Sequence, residues 1–158
     1  LLSGPEPQRS IFEKLICGQL KNHQGSVVLI RGLPQENNSR EGIPENVVVY
    51  NHLQAAELNL LIQQSAMIVA RCGYSTVMDL VSLQKNAVLV PTPGQGEQEY
   101  LASYLFEKKL FYTTPQAGFN LDEVLNAART FKVNEVAIRK GPDEKLVANW
   151  LQQLKTRQ

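Results

Sequence analysis

An excess of either charge is missing from this chain. Lys and Arg number 16 against 15 Asp and Glu, a formal net charge of +1, so no strong field steers it to nucleic acid or to a membrane surface. Cysteine is scarce too. Cys17 and Cys72 are the only two, too few for a disulfide framework, and they point to a reducing compartment, hence the cytoplasm. His23 and His52 are the only histidines. Neither has a partner at metal-ligand spacing, which argues against a structural metal site, and no motif supports a Ser/His/Asp triad. There is no Asp-x-Asp motif. The Gly-x-Gly-x-x-Gly fingerprint of dinucleotide-binding domains is absent after the first strand, and Ser3-Gly4-Pro5 does not replace it. No apolar run is long enough to span a bilayer, and no internal repeat or low-complexity segment occurs.

What remains is the composition of an ordinary soluble domain, 43% hydrophobic and 20% charged. Its 158 residues suffice for one core that folds without staples. No Met begins the chain, and Leu1-Leu2-Ser3 reads like the end of a strand. The sequence is therefore expected to be a piece of a longer protein, cut just before or within a strand.

The pattern along the chain alternates strand and helix. Gly4-Pro5-Glu6-Pro7 is a turn, and Ile11, Phe12, Leu15, Ile16 and Leu20 then recur at helical spacing, which predicts a helix from about Pro7 to Leu20. Strands are expected at 26–32, 47–50, 67–70, 87–91 and 111–113. Helices are expected around Leu58–Ile62, after Gly73, over 97–109 and around Leu121–Ala128, with a last one over 143–156 carrying Trp150 in its apolar face. Residues 33–46 read as a polar surface loop. Such alternation predicts an α/β fold with a doubly wound, parallel, Rossmann-like sheet. In these sheets ligands bind beyond the C-terminal ends of the strands, near the switch in strand order. Ser3-Gly4, Cys72-Gly73 and Gly94-Gln95-Gly96 all fall at strand ends, as does Asn51-His52-Leu53, and would share one edge.

The stretch Val69 to Leu80 carries the chemistry. An apolar run stops at Arg71-Cys72-Gly73 and a helix follows, with Ser75 or Thr76 placed to cap its first turn. Backbone N–H groups and the helix dipole there suit a phosphate. Asp79, one turn further on, is placed to accept hydrogen bonds from a ribose. The same pattern also fits an ordinary strand-turn-helix with a solvated Asp. Arg9 sits in the first turn of its helix, where a cation opposes the dipole; it either meets an anion or is a solvated surface residue. Glu97 and Glu99 in a first turn fit helix-start chemistry.

Two segments carry a family resemblance: 71–80 (RCGYSTVMDL) and 91–102 (PTPGQGEQEYLA), in that order after Ser3-Gly4-Pro5. With them, Leu1 to about Leu154 resembles the C-terminal, donor-binding domain of GT-B glycosyltransferases of the family 28 type, which includes the peptidoglycan N-acetylglucosaminyltransferase. The resemblance implies that residues 1–158 are the nucleotide-sugar donor-binding domain, with the N-terminal acceptor domain missing. It implies an inverting, metal-independent transfer of a hexosyl group from a UDP-sugar to an acceptor hydroxyl, without a cofactor. Asp79 matches the ribose-binding acid, usually Glu. Gly73 and the Ser75-Thr76 backbone match the phosphate-facing helix start, and Ser3 and Gly4 match a glycine-rich loop near the diphosphate; Cys72, in the same turn as Gly73, and Arg9, if the anion it meets is the diphosphate, join the expected donor contacts. Gly94, Gln95 and Gly96 lead to Gln98 and Glu99, which match a sugar-contacting pair that is often Gln-Gln. Leu53 lies where the uracil ring is read. The general base belongs to the missing domain, which would also carry any docking to the inner face of the membrane, so this fragment is expected to be inactive alone. A UDP-sugar hydrolase or epimerase of the same fold, or a noncatalytic half of a split glycosyltransferase, fits the same residues.

Overall fold

The structure is a computed structural model that describes residues 1–33, 40 and 42–134. The five strands among these residues are β1 (Val27–Ile30), β2 (Val47–Tyr50), β3 (Val69–Arg71), β4 (Val88–Val90) and β5 (Tyr112–Thr113). All observed pairings are parallel: β1 with β2, and β3 with β4 with β5. The two groups are joined by the first residues of the chain. The amide of Leu2 donates to the Ile30 carbonyl at 2.8 Å, and the Leu1 nitrogen donates to the Val69 carbonyl at 2.8 Å. The spatial order is therefore β2, β1, residues 1–2, β3, β4, β5. The order reverses between residues 1–2 and β3.

The helices are α1 (Gln8–Leu20), α2 (Ala55–Gln64), α3 (Tyr74–Ser82), α4 (Gly96–Glu107) and α5 (Leu121–Thr130). They cover the two faces of the sheet with separate cores. Val88 and Val90 point to one face, where they meet Phe12, Ile16 and Leu20 of α1 and Leu121 and Val124 of α5. Leu89, between them, joins the other core with Ala70, Val77 and Leu80 of α3, and Leu101 and Leu105 of α4. The alternation of side chains along a strand puts successive β4 residues into opposite layers. Both layers are apolar, hence the uninterrupted Ala-Val-Leu-Val run. Phe12 and Phe119 close the α1 side in a T-shaped contact, centroids 5.4 Å apart.

The doubly wound α/β reading holds. Boundaries moved where side chains outside the local window decide them. The third strand runs through Arg71 rather than ending at Ala70, because Arg71 pairs in register with Val90. Helix α1 begins at Gln8 with Pro7 as N-cap. Helix α3 begins at Tyr74 with Gly73 as N-cap, so Ser75 and Thr76 lie inside the first turn and do not cap it. Gly73 holds the extended N-cap backbone, φ −83° and ψ 146°. Helix α4 stops at Glu107, short of Lys109, because Lys109 turns left-handed (φ 54°) and the Leu110 amide folds back onto the Leu105 carbonyl. The expected helix over 143–156 lies outside the described residues. Among the described residues no helix is long and apolar enough to cross a membrane.

Candidate functional site

The reversal in strand order brings two turns together. Residues 3–7 follow the central segment, and Cys72-Gly73 follows β3. Gly4 adopts φ +102°, and a Cβ built on it would lie 3.6 Å from the Thr92 hydroxyl, so this turn lies beside the end of β4 as well. On the far side of the central segment Gly32 comes close to it. A Cβ there would sit 2.4 Å from the Leu2 carbonyl oxygen, and φ is +68°. Only glycine lets β1 end against residues 1–2 in this way.

Helix α3 presents its N-terminus at this junction. Its first intrahelical bond runs from the Val77 amide to the Gly73 carbonyl at 3.0 Å. The Ser75 and Thr76 amides lie ahead of that bond, and Gly73 brings no side chain to cover them. Donors and the positive end of the dipole thus face the strand-end edge at the reversal in strand order, where a doubly wound sheet leaves a crevice. Asp79 stands further along the same helix with its side chain exposed. Cys72 is fully buried, and burial pushes its thiol up to about 12. Its amide is tied to the Val90 carbonyl, so its contribution is to fix the turn rather than to react.

The loop after β4 is held by the first turn of α4. The Gln98 side chain accepts from the Thr92 amide at 3.0 Å and donates to Gln95 Oε1 at 2.6 Å. Glu99 accepts from the Gly94 amide at 2.9 Å. Gly94, at φ +80°, makes the tight turn that lets this happen. Gly96 is exposed at the first helical position. Gln98 and Glu99 thus shape the loop 92–95 that borders the crevice. Leu53 is half-buried between the end of β2 and the start of α2. Ser3 is half-buried in the turn after the central segment.

Arg9 is buried, and the anions it meets are protein carboxylates. It donates to Glu6 at 2.6 Å, to Glu13 and to the Ser10 hydroxyl. Glu13 in turn accepts from Arg31 at 2.8 Å. These carboxylates explain a cation in the first turn of α1. The hydrogen bonds to Glu13 and Glu6 hold the Arg9 pKa above its usual value against the desolvation that works to lower it.

Sequence reasoning missed Arg71. It is 1% exposed and sits at the end of β3, below the Gly73 turn. Its guanidinium donates to the Gln8 carbonyl at 2.9 Å, to Gln116 Oε1 at 2.6 Å and to the Pro91 carbonyl at 3.3 Å. It also lies 4.3 Å over the Phe12 ring. Gln116 completes the cluster by donating to Gln8 Oε1 at 3.2 Å. Burial pulls the Arg71 pKa down to about 10, so the charge persists at neutral pH. Its Nε and the neighbouring Thr92 hydroxyl are buried without hydrogen-bond partners among the described residues.

Residues 9–146 match the glycosyltransferase family 28 C-terminal domain. An uncharacterised glycosyltransferase of Methanosarcina acetivorans is 27% identical over 119 residues, 73% of this chain and 31% of that protein. The solved structure of spinosyn forosaminyltransferase SpnP superposes with a TM-score of 0.59 at 17% identity, over 94% of this chain and 40% of that one. At that identity the likeness is one of fold. The chain spans about a third of the length of the curated relative it matches.

Proposed function

Because this chain belongs to the glycosyltransferase family 28 C-terminal domain family, we propose that it is the donor-binding half of a glycosyltransferase, and that its donor is a UDP-sugar. The observation that carries this reading is the glycine-started N-terminus of α3 at the reversal in strand order, beside the left-handed Gly4 turn. The diphosphate lies there, against the Ser75 and Thr76 amides, and Gly4 and Gly73 leave room for it. Asp79 accepts from the ribose hydroxyls. The backbone near Leu53 reads the uracil ring. Gln98 and Glu99 exchange part of their bonding to the 92–95 loop for hydroxyls of the donor sugar.

In this reading the transfer is inverting and metal-independent. The acceptor oxygen attacks the anomeric carbon of a hexosyl group, and the bond to the diphosphate breaks with its electron pair leaving on UDP. The end of α3 stabilises the charge that develops on the leaving group. The base that takes the acceptor proton, and the acceptor itself, belong to an N-terminal domain that closes over the crevice. The domain works in the cytoplasm, and any membrane contact belongs to that partner domain.

Titration of the full-length protein with UDP, UMP, GDP, ADP and NAD, by calorimetry and by amide shifts on the labelled domain, tests the reading. Selective binding of UDP with shifts at Gly73, Asp79 and Gln98 is expected. Equal binding of all five, or shifts confined to other edges of the sheet, overturns it.

A further inference from the structure

We propose that Arg71 is a positioning residue whose charge, without a counter-ion among the described residues, is met by the diphosphate of the donor. This rests on the donor-binding reading above. Buried charges are ordinarily paired, because an unpaired one loses hydration without return. The other guanidiniums at this edge obey the rule: Arg9 pairs with Glu6 and Glu13, and Arg31 with Glu13. Arg71, at 1% exposure, has only neutral partners among the described residues: two carbonyls, the Gln116 amide and the Phe12 ring.

The arrangement fits a charge placed for use. Its acceptors come from the start of α1, the end of β4 and the segment after β5, so Arg71 ties together segments that surround the crevice. It lies two residues before the N-cap of α3, behind the turn assigned to the phosphates. A full charge in a poorly polarisable setting adds to the fractional charge of the helix end without touching the ligand. It fixes where an anion settles, and an uncharged nucleoside gains nothing from it. Gln116 is the telling partner. A carboxylate of the same shape would fit the same place and neutralise Arg71 internally, yet the chain has an amide there.

The test compares UDP with uridine on the full-length protein. Arg71→Met should lower UDP affinity roughly ten- to hundredfold and leave uridine affinity within a factor of two. Arg71→Lys should keep most of the preference for UDP. Gln116→Glu is the sharper variant, since it preserves packing and supplies an internal counter-ion. It should lower UDP affinity about tenfold with uridine binding and thermal midpoint unchanged or raised. Parallel loss of both ligands in Arg71→Met, or unaltered UDP affinity in a folded Gln116→Glu protein, overturns the proposal and makes Arg71 a structural tie only. If Arg71→Met fails to fold, Gln116→Glu decides alone. Absence of UDP binding in the wild-type protein is a different outcome, one that removes the donor-binding reading itself.

Discussion

At the scale of single residues, an exposed carboxylate and a hidden glycine carry separable predictions. Asp79→Ala is expected to weaken UDP binding by roughly 1–3 kcal/mol through the ribose hydroxyls it leaves unpaired. Calorimetry with UDP and with its 2′,3′-dideoxy analogue checks this, since the analogue should bind both proteins alike. Gly32→Ala acts on the fold instead. With φ at +68° and the Leu2 carbonyl oxygen 2.4 Å from the new Cβ, the chain must shift, and a loss of about 2–4 kcal/mol in denaturant unfolding is expected. Both cysteines are buried and their thiols are raised by burial. Iodoacetamide at pH 8 should therefore modify Cys17 and Cys72 only as fast as the protein opens, which mass spectrometry can follow. The glycines at strand ends were legible in the sequence because each is punctuation in a local pattern. Arg71 was not. Its acceptors lie 63, 45 and 20 residues away in sequence, so no local window shows that an Arg beside a glycine turn points inward. Arg9 was half-legible: its conflict with the helix dipole announced an anion, and Glu6 and Glu13 supply it.

At the scale of elements, helix ends account for most of the distance between expectation and structure. Hydrophobic spacing located the five helices among the described residues, since each lays its apolar residues against one of the two cores. Where a helix stops depends on backbone geometry that spacing does not encode. Helices α3 and α4 end alike. The Lys85 amide reaches the Leu80 carbonyl and the Leu110 amide the Leu105 carbonyl, while Gln84 and Lys109 turn left-handed at φ 53° and 54°. Glycine ordinarily fills that position, so its absence from the sequence hid both stops. We predict that Gln84→Gly and Lys109→Gly each stabilise the protein by roughly 0.5–1 kcal/mol, read as a higher urea midpoint at unchanged slope. Helix α4 shows the converse. Gln98→Ala removes the acceptor for the Thr92 amide and the donor to Gln95, and should cost about 1–2 kcal/mol and loosen the 92–95 loop. Amide exchange at Thr92 would report it. Whether Gln98 also meets the donor sugar is a separate matter, decided by comparing UDP with a UDP-sugar in the same variant.

At the scale of the whole molecule, strand and helix alternation announced the doubly wound sheet, but strand order did not follow from alternation. It follows from where residues 1–2 insert, between β1 and β3. That insertion has a kinetic consequence. The β1–β2 pair and the β3–β4–β5 group each assemble from one continuous stretch of chain. The seam between them requires the Leu1 nitrogen to find a carbonyl 68 residues away, and closing so long a loop is slow to be rewarded. The two half-sheets should therefore be largely built at the folding barrier while the seam is still open. A change confined to the seam, such as Gly32→Ala, would then quicken unfolding and leave refolding almost untouched. In a stopped-flow chevron only the unfolding arm should rise, and the lifetime of the folded state would be set by the seam rather than by either half-sheet.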